Sequence, residues 1–263
     1  VEAYPDERDH PGKEDGTSGL SPHLRFGEIG PAQIWRAVTS AMEAGRISED
    51  GGWKFLSEIV WREFSCVLLY YRPDLAEANY NSDFDHMPWR TDEPALKAWQ
   101  TGQTGYPIVD AGMRQLWETG WMHNRVRMIV ASFLTKHLLL HWQNGEAWFW
   151  DTLVDADPAS NPASWQWTAG SGADAAPYFR VFNPITQGQK FDADGRYVRC
   201  WCPEIADLPD KHLHAPWTAD EQILSRAGIT LGEDYPCPLV DHKSARERAL
   251  EAYETLKSQR TNA

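Results

Sequence analysis

The twenty residues from His123 to Trp142, HNRVRMIVASFLTKHLLLHW, constrain the fold more than any other stretch. Their spacing predicts a helix on which Val126, Ile129, Val130, Phe133 and Leu134 fill most of the circumference, so that it must be covered on nearly every side. Asn124, Arg127, Met128 and Ala131 form one stripe along it. An amide and a guanidinium beside so apolar a run are costly to bury without partners. Either Asp155 or Asp157 can supply the matching carboxylate.

Those two acids open a second unusual stretch, Asp155 to Pro184, DADPASNPASWQWTAGSGADAAPYFRVFNP. It is too rich in Gly, Pro, Ser and Asn to be regular helix or strand throughout, and too rich in large aromatics for a floppy surface loop. Asp155, Asp157, Asn161, Trp165, Trp167 and Arg180 on an irregular backbone predict the wall of a binding pocket. A long loop tucked over a core would have the same composition.

Helical spacing recurs elsewhere. Residues 50–72 predict a helix with Glu58, Trp61 and Arg62 at i, i+3 and i+4, hence on one face; a Glu–Arg surface pair beside a half-buried Trp is the plainer reading of the same spacing. Residues 74–104 are irregular, with a short helix containing Trp99. Residues 105–122 predict a helix with Pro107 near its start and Gly120 near its end. A stretch from Glu146 to Leu153 and a charged one from about His242 to Leu256 complete the set. In GTSGLSPHLRF (16–26), Ser21 reads as a helix cap with Pro22 at the first helical position. Thr17, Ser18 and Ser21 would surround that start with hydroxyls, where the helix dipole favours an anion such as phosphate. Strand-like alternation is scarce, so the fold class is mostly α, and residues 1–263 form a single domain with no linker-like stretch.

Composition narrows the function. No apolar run approaches the length of a membrane span, and the first residues lack the basic and apolar regions of a secretory signal. They also lack an initiator Met, so more chain is expected upstream. Cys66, Cys200, Cys202 and Cys237 match no zinc or iron–sulfur spacing and read as reduced thiols of a cytoplasmic protein. The 14 tryptophans are several times ordinary usage; indoles fill helical cores, and they also stack on flat ligands and carry electrons. A net charge of −13 argues at first against nucleic acid. Its distribution argues the other way: no acid lies between Glu118 and Glu146, where Arg125, Arg127 and Lys136 sit, nor between Asp174 and Asp192, where Arg180 and Lys190 sit. An acidic protein with two basic windows can keep one anion-binding face.

TSGLS (17–21), WREF (61–64), TGYPIVDAGMRQLWETGWMHNRVRM (104–128) and the stretch from Asp155 resemble the photolyase/cryptochrome family, most closely its bacterial branch that repairs cyclobutane pyrimidine dimers. The resemblance runs from Tyr4 to the last helix and covers the family's helical flavin domain. The family's N-terminal α/β domain, which lodges an antenna pigment, is not in this sequence. The resemblance implies FAD in a U-shaped conformation inside a helical bundle. By position, Tyr4, Thr17, Ser18, Leu20 and Ser21 would hold its diphosphate. Arg127 would pair with Asp155 beside the isoalloxazine, Asp157 would face its polar edge, and Asn161 its N5 nitrogen. An amide there favours repair; an Asp would resemble plant cryptochromes.

The same resemblance implies damaged DNA as partner. Glu58, Trp61, Asn124, Arg125, Met128 and Trp167 would line the dimer pocket, with Arg125 and Arg180 meeting phosphates. Trp165, Trp142 and Trp89 would form the family's electron path from flavin to surface. The implied activity is light-driven splitting of the dimer by a monomeric, nucleoid-associated enzyme. The alternative is a cryptochrome that uses flavin photoreduction for signalling. His123 is one position off the stripe and points away from the pocket, so (6-4) photoproducts, whose repair needs a proton donor at the lesion, are not expected as substrates.

Overall fold

The computed structural model describes residues 1–174 and 180–261. Among the described residues, fourteen α-helices follow one another: α1 (Tyr4–Glu7), α2 (Ser21–Arg25), α3 (Pro31–Glu43), α4 (Glu49–Tyr71), α5 (Glu93–Gln100), α6 (Pro107–Thr119) and α7 (Asn124–Ser132). Then come α8 (Trp142–Thr152), α9 (Ser160–Ala169), α10 (Pro184–Phe191), α11 (Arg196–Trp201), α12 (Asp210–Leu213), α13 (Glu221–Arg226) and α14 (His242–Thr261). Among the described residues, extended pairing is confined to two isolated bridges, Arg90 with Leu140 and Leu231 with Tyr235. The mostly-α expectation is met. No helix among the described residues is long and apolar enough to cross a membrane.

Local chemistry sets the helix ends. The 23-residue α4 begins after Ser48, whose hydroxyl accepts from Gly51 N, satisfying one of the orphan N–H groups of the first turn. α6 starts on Pro107, whose missing N–H costs nothing there, and ends at Gly120 in the left-handed region, φ 69°. His123 and His141 cap α7 and α8 through Nδ1, which accepts from Arg125 N and Gln143 N.

The long helix expected over 123–142 is broken. α7 stops at Ser132, a π-helical turn occupies Phe133–His137, and Leu139 turns the chain with φ 55° before α8 starts at Trp142. Every residue from Ile129 to Leu140 is buried, so no polar face marked the break. The stretch from Asp155 is also more regular than its composition predicts, since α9 runs through Asn161, Trp165 and Trp167; its residues 175–179 lie outside the described residues. The main core joins α5 to α9 with α11, around Trp99, Val126, Val130, Phe133 and Trp142. A smaller core, Ile34, Val38, Phe55, Leu56 and Ile59, fastens α3 to α4. Between the two cores lies the cavity that matters for function.

Candidate ligand cavity

The cavity has a volume of about 670 Å³, within the roughly 300–1,000 Å³ typical of small-molecule and cofactor sites. Its walls come from α1, the turn before α2, one face of α4, the stripe on α7, and the end of α8 through α9. Tyr4, Ser18, Leu20, Ser21, Glu58, Trp61, Asn124, Arg127, Met128, Asp155, Asp157, Asn161, Trp165 and Trp167 all line it. Residues as far apart in sequence as Tyr4 and Trp167 are thus brought to one space. Thr17 does not line it, and neither do Arg125, Arg180, Trp89 or Trp142.

Electrostatics divide the wall. Arg127 donates from Nη2 to Asp155 Oδ2 at 2.8 Å and from Nε to Met122 O at 2.7 Å. The Asp155 side chain is only 3% exposed, yet its Oδ1 has no partner. Trp165 Nε1–H, equally buried, has none either. An acceptor and a donor both left unsatisfied on a cavity wall cost free energy unless a ligand meets them. Asp157 serves two purposes, lining the cavity and accepting from Ala159 N and Ser160 N to start α9. Asn161 donates from Nδ2 to Glu146 O at 3.0 Å and to Glu146 Oε1 at 2.9 Å, leaving its carbonyl oxygen as the remaining polar group. Burial raises the Glu146 carboxyl above its usual range, and the Asn161 hydrogen bond partly offsets this. Glu146 carries no motif and was not anticipated from the sequence. Trp165 is seated against Gly145, where a Cβ would fall inside its ring.

At the α4 side, Glu58, Trp61 and Arg62 share the cavity face, as their spacing predicts. The plainer Glu58–Arg62 pairing does not form. Arg62 pairs with Glu63 at 2.5 Å, and Arg8 of the α1 region holds Glu58. Burial pushes the Tyr4 phenol up to about 12, opposed chiefly by nearby Arg8, so Tyr4 presents a neutral hydroxyl at this end.

Three expectations need correction. Ser21 is the first residue of α2, with Leu20 as its cap, and α2 has only five residues; an anion here would rely on the Ser18 and Ser21 hydroxyls and on Arg25, which also lines the cavity and binds Ala156 O through Nε. Arg125 is not open to a phosphate: it pairs with Asp9 at 2.6 Å and lies over the Phe191 ring at 4.3 Å. Lys136 is fully buried, donates to Ala169 O, and is held well below its ordinary value by desolvation, so it adds nothing to a basic face. Arg180 is exposed. His123 is 1% exposed and stands behind the wall, as expected.

A helical cradle around a part-aromatic cavity, with an acid–guanidinium pair in its wall, has the features of a small-molecule or cofactor site. The family described as the FAD binding domain of DNA photolyase matches residues 55–255, and the chain belongs to this family. It is 58% identical over 257 residues to the deoxyribodipyrimidine photo-lyase of Agrobacterium fabrum, covering 98% of this chain and 53% of that one. Among solved structures, the bacterial class III photolyase from Agrobacterium tumefaciens superposes with a TM-score of 0.94 at 57% identity, over 98% of this chain and 53% of that one. The cryptochrome of Synechocystis gives a TM-score of 0.90 at 36% identity, over 95% and 51%. The chain spans about half the length of the relatives it matches.

Proposed function

We propose that residues 1–263 act as one FAD- and DNA-binding domain that repairs cyclobutane pyrimidine dimers in light. The observation that carries this is the cavity wall, where Asp155 and Trp165 both line the space and each holds a buried polar atom, Oδ1 and Nε1, with no partner in the protein. They fit a ligand whose edge offers both a donor and an acceptor, as the isoalloxazine of FAD does. FAD, when bound and reduced, supplies the electron that light sends to the dimer and takes back once the ring has opened.

The protein's own groups do the rest. Arg127 holds Asp155 in place through their ion pair, and Asn161, locked by Glu146, presents an amide oxygen in place of an acid. Trp61, half exposed at the mouth, offers an indole face together with Trp167, and Met128 fills the irregular space between flat surfaces. Glu58 reaches the pyrimidine edge while Arg8 neutralises it. Asn124 lines the same side. Photolyases belong to the enzymes that extrude their target from the duplex. Arg180, which is exposed, would meet backbone phosphate. Trp165, Trp142 and Trp89 carry charge between the cavity and the surface. The working protein is read as a cytoplasmic monomer whose antenna pigment belongs to the half of its relatives that this chain does not span.

The test is the absorption spectrum of the purified chain, followed by illumination of oligonucleotides bearing either a cyclobutane dimer or a (6-4) photoproduct. Bound FAD with restored thymines from the dimer alone is the expected result. Bound FAD that photoreduces without repair would turn the reading to a cryptochrome. Protein that stays colourless with added FAD would sink both.

A further inference from the structure

Trp142 is completely buried, and its indole N–H is not left to chance. Nε1 donates to Asn79 Oδ1 at 2.8 Å, and Asn79 Nδ2 in turn donates to Asp85 Oδ1 at 2.7 Å. The loop that carries Asn79 is clamped to both α8 and α9. Gln143 of α8 donates to Ala76 O and Glu77 O at 3.1 and 2.9 Å. Gln166 of α9 donates to Leu75 O and Ala78 O at 2.7 and 3.0 Å and accepts from Tyr80 N at 2.7 Å. Asn79 is therefore fixed relative to Trp165, the neighbour of Gln166. On the outward side the His141 ring touches both remaining indoles, with centroids 5.6 Å from Trp142 and 5.2 Å from Trp89. Trp89 Nε1 has no partner at all.

On the reading that Trp142 carries charge between Trp165 and Trp89, we propose that Asn79 and Asp85 are positioning residues that keep oxidised Trp142 protonated. One electron leaves Trp142 inward by way of Trp165, to an FAD excited by light. The indole is then a cation, and its N–H becomes acidic. Asn79 offers an amide oxygen, which accepts a hydrogen bond but does not take the proton. Trp142 therefore keeps its proton, and one electron from Trp89, passing beside His141, returns it to its starting state. Trp89 is left one electron short and is restored by a thiol in solution. The Asp85 carboxylate polarises Asn79 through their hydrogen bond and so favours positive charge on Trp142. His141 does not oppose this, because burial holds its imidazole below the ordinary value and near neutrality no second cation stands against the ring. A carboxylate placed directly on Nε1 would act otherwise: it would take the proton and strand a neutral indole radical that is a poor acceptor for the electron from Trp89.

The decisive variant exchanges the two residues, Asn79→Asp with Asp85→Asn, in the full chain loaded with oxidised FAD. Net charge and the bond between the two positions are retained, so a purely structural role would leave the photochemistry unchanged. Transient absorption should find the wild-type indole radical as a cation and the exchanged protein's as the neutral form, with photoreduction slowed about tenfold or more. Wild-type rate and an unchanged radical spectrum would overturn the proposal. In the dark, the Trp142 indole N–H resonance should move several-fold more with carboxylate titration in the exchanged protein, where the carboxylate bonds it directly, than in the wild type, where Asn79 stands between; equal movement in both would also overturn it. Asp85→Asn alone, at an exposed position, should slow photoreduction roughly threefold, and an unaltered rate would count against the polarising role. Failure of the underlying path is separately visible: Trp142→Phe would then photoreduce as fast as the wild type.

Discussion

Two buried aspartates show how differently one residue type is used in this molecule. Asp110, in the TGYPIVDAGMRQ motif, is fully buried, and each of its oxygens is satisfied twice. Oδ1 accepts from Thr104 N at 2.7 Å and Thr104 Oγ1 at 2.6 Å, and Oδ2 accepts from Gly105 N at 3.0 Å and Tyr235 Oη at 2.6 Å. Burial still pushes its carboxyl above the usual range, with those hydrogen bonds opposing. Asp155 has one oxygen on Arg127 and the other on nothing. A closed network is a fastening between loop, α6 and the chain near Tyr235; an open one is a place for a ligand. The longest signature motif in the chain is therefore structural at its most buried acid, whereas the acid proposed to meet the ligand sits in a turn.

Asp110→Ala should show the largest effect. It would orphan two backbone N–H groups and two hydroxyls, each costing about 1–3 kcal/mol, so a total above about 4 kcal/mol is expected. Urea unfolding within 1 kcal/mol of wild type would break the comparison at its structural end. Arg127→Ala comes next, at about 3 kcal/mol, because it leaves the buried Asp155 charge unpaired; FAD should be lost in the same step. A variant that melts like wild type and keeps FAD would show the pair to be dispensable.

His123 tests a third buried polar group, this one a histidine. Burial chiefly lowers it to about 4, and Arg125 and Arg127 act in the same direction. The folded state therefore binds its proton less readily than the unfolded chain, and stability is lost as pH falls below the ordinary histidine value toward that lowered one. The loss attributable to this group should be about 2 kcal/mol between pH 7 and pH 5. His123→Asn retains a capping acceptor and should flatten that limb of the stability curve; an unchanged limb would show that the group titrates normally. The smallest effect on the fold should come from Asp155→Asn, within about 1 kcal/mol, since it replaces an open site rather than a closed network. FAD retention should nevertheless fall about tenfold in equilibrium dialysis. Equal loss of fold and ligand would erase the contrast between the two aspartates.

What the sequence revealed follows the same division. Regular helices with terminal signals were legible: Pro107 and Gly120 bracket α6, and helical spacing put Glu58, Trp61 and Arg62 on one cavity face. The residues alone left Asp155 and Asp157 as candidates for Arg127; the family resemblance named Asp155, and packing agrees, since Asp157 is occupied by the start of α9. The break after Ser132 was illegible because that segment is buried all round and has no amphipathic edge to lose. Partners far apart in sequence were illegible too. Arg8 reaches Glu58 across 50 residues and Arg125 reaches Asp9 across 116, so the phosphate contact that the resemblance implied for Arg125, and the acid-free window that agreed with it, fell on a residue already paired. Asn79 and Asp85 lie in a segment whose composition says only that it is irregular.

The cavity draws its walls from residues 4–25, 54–68, 124–131 and 149–174. During synthesis its first wall therefore waits for its last by on the order of ten seconds, at the rates at which ribosomes extend a chain. Nascent protein cut short before α9 lacks the wall that α9 supplies, and so has no enclosed space to offer. Uptake of a chromophore thus becomes a clock mark set late in the life of each new molecule, and colour in a cell extract counts the chains that finished folding rather than the chains that were made.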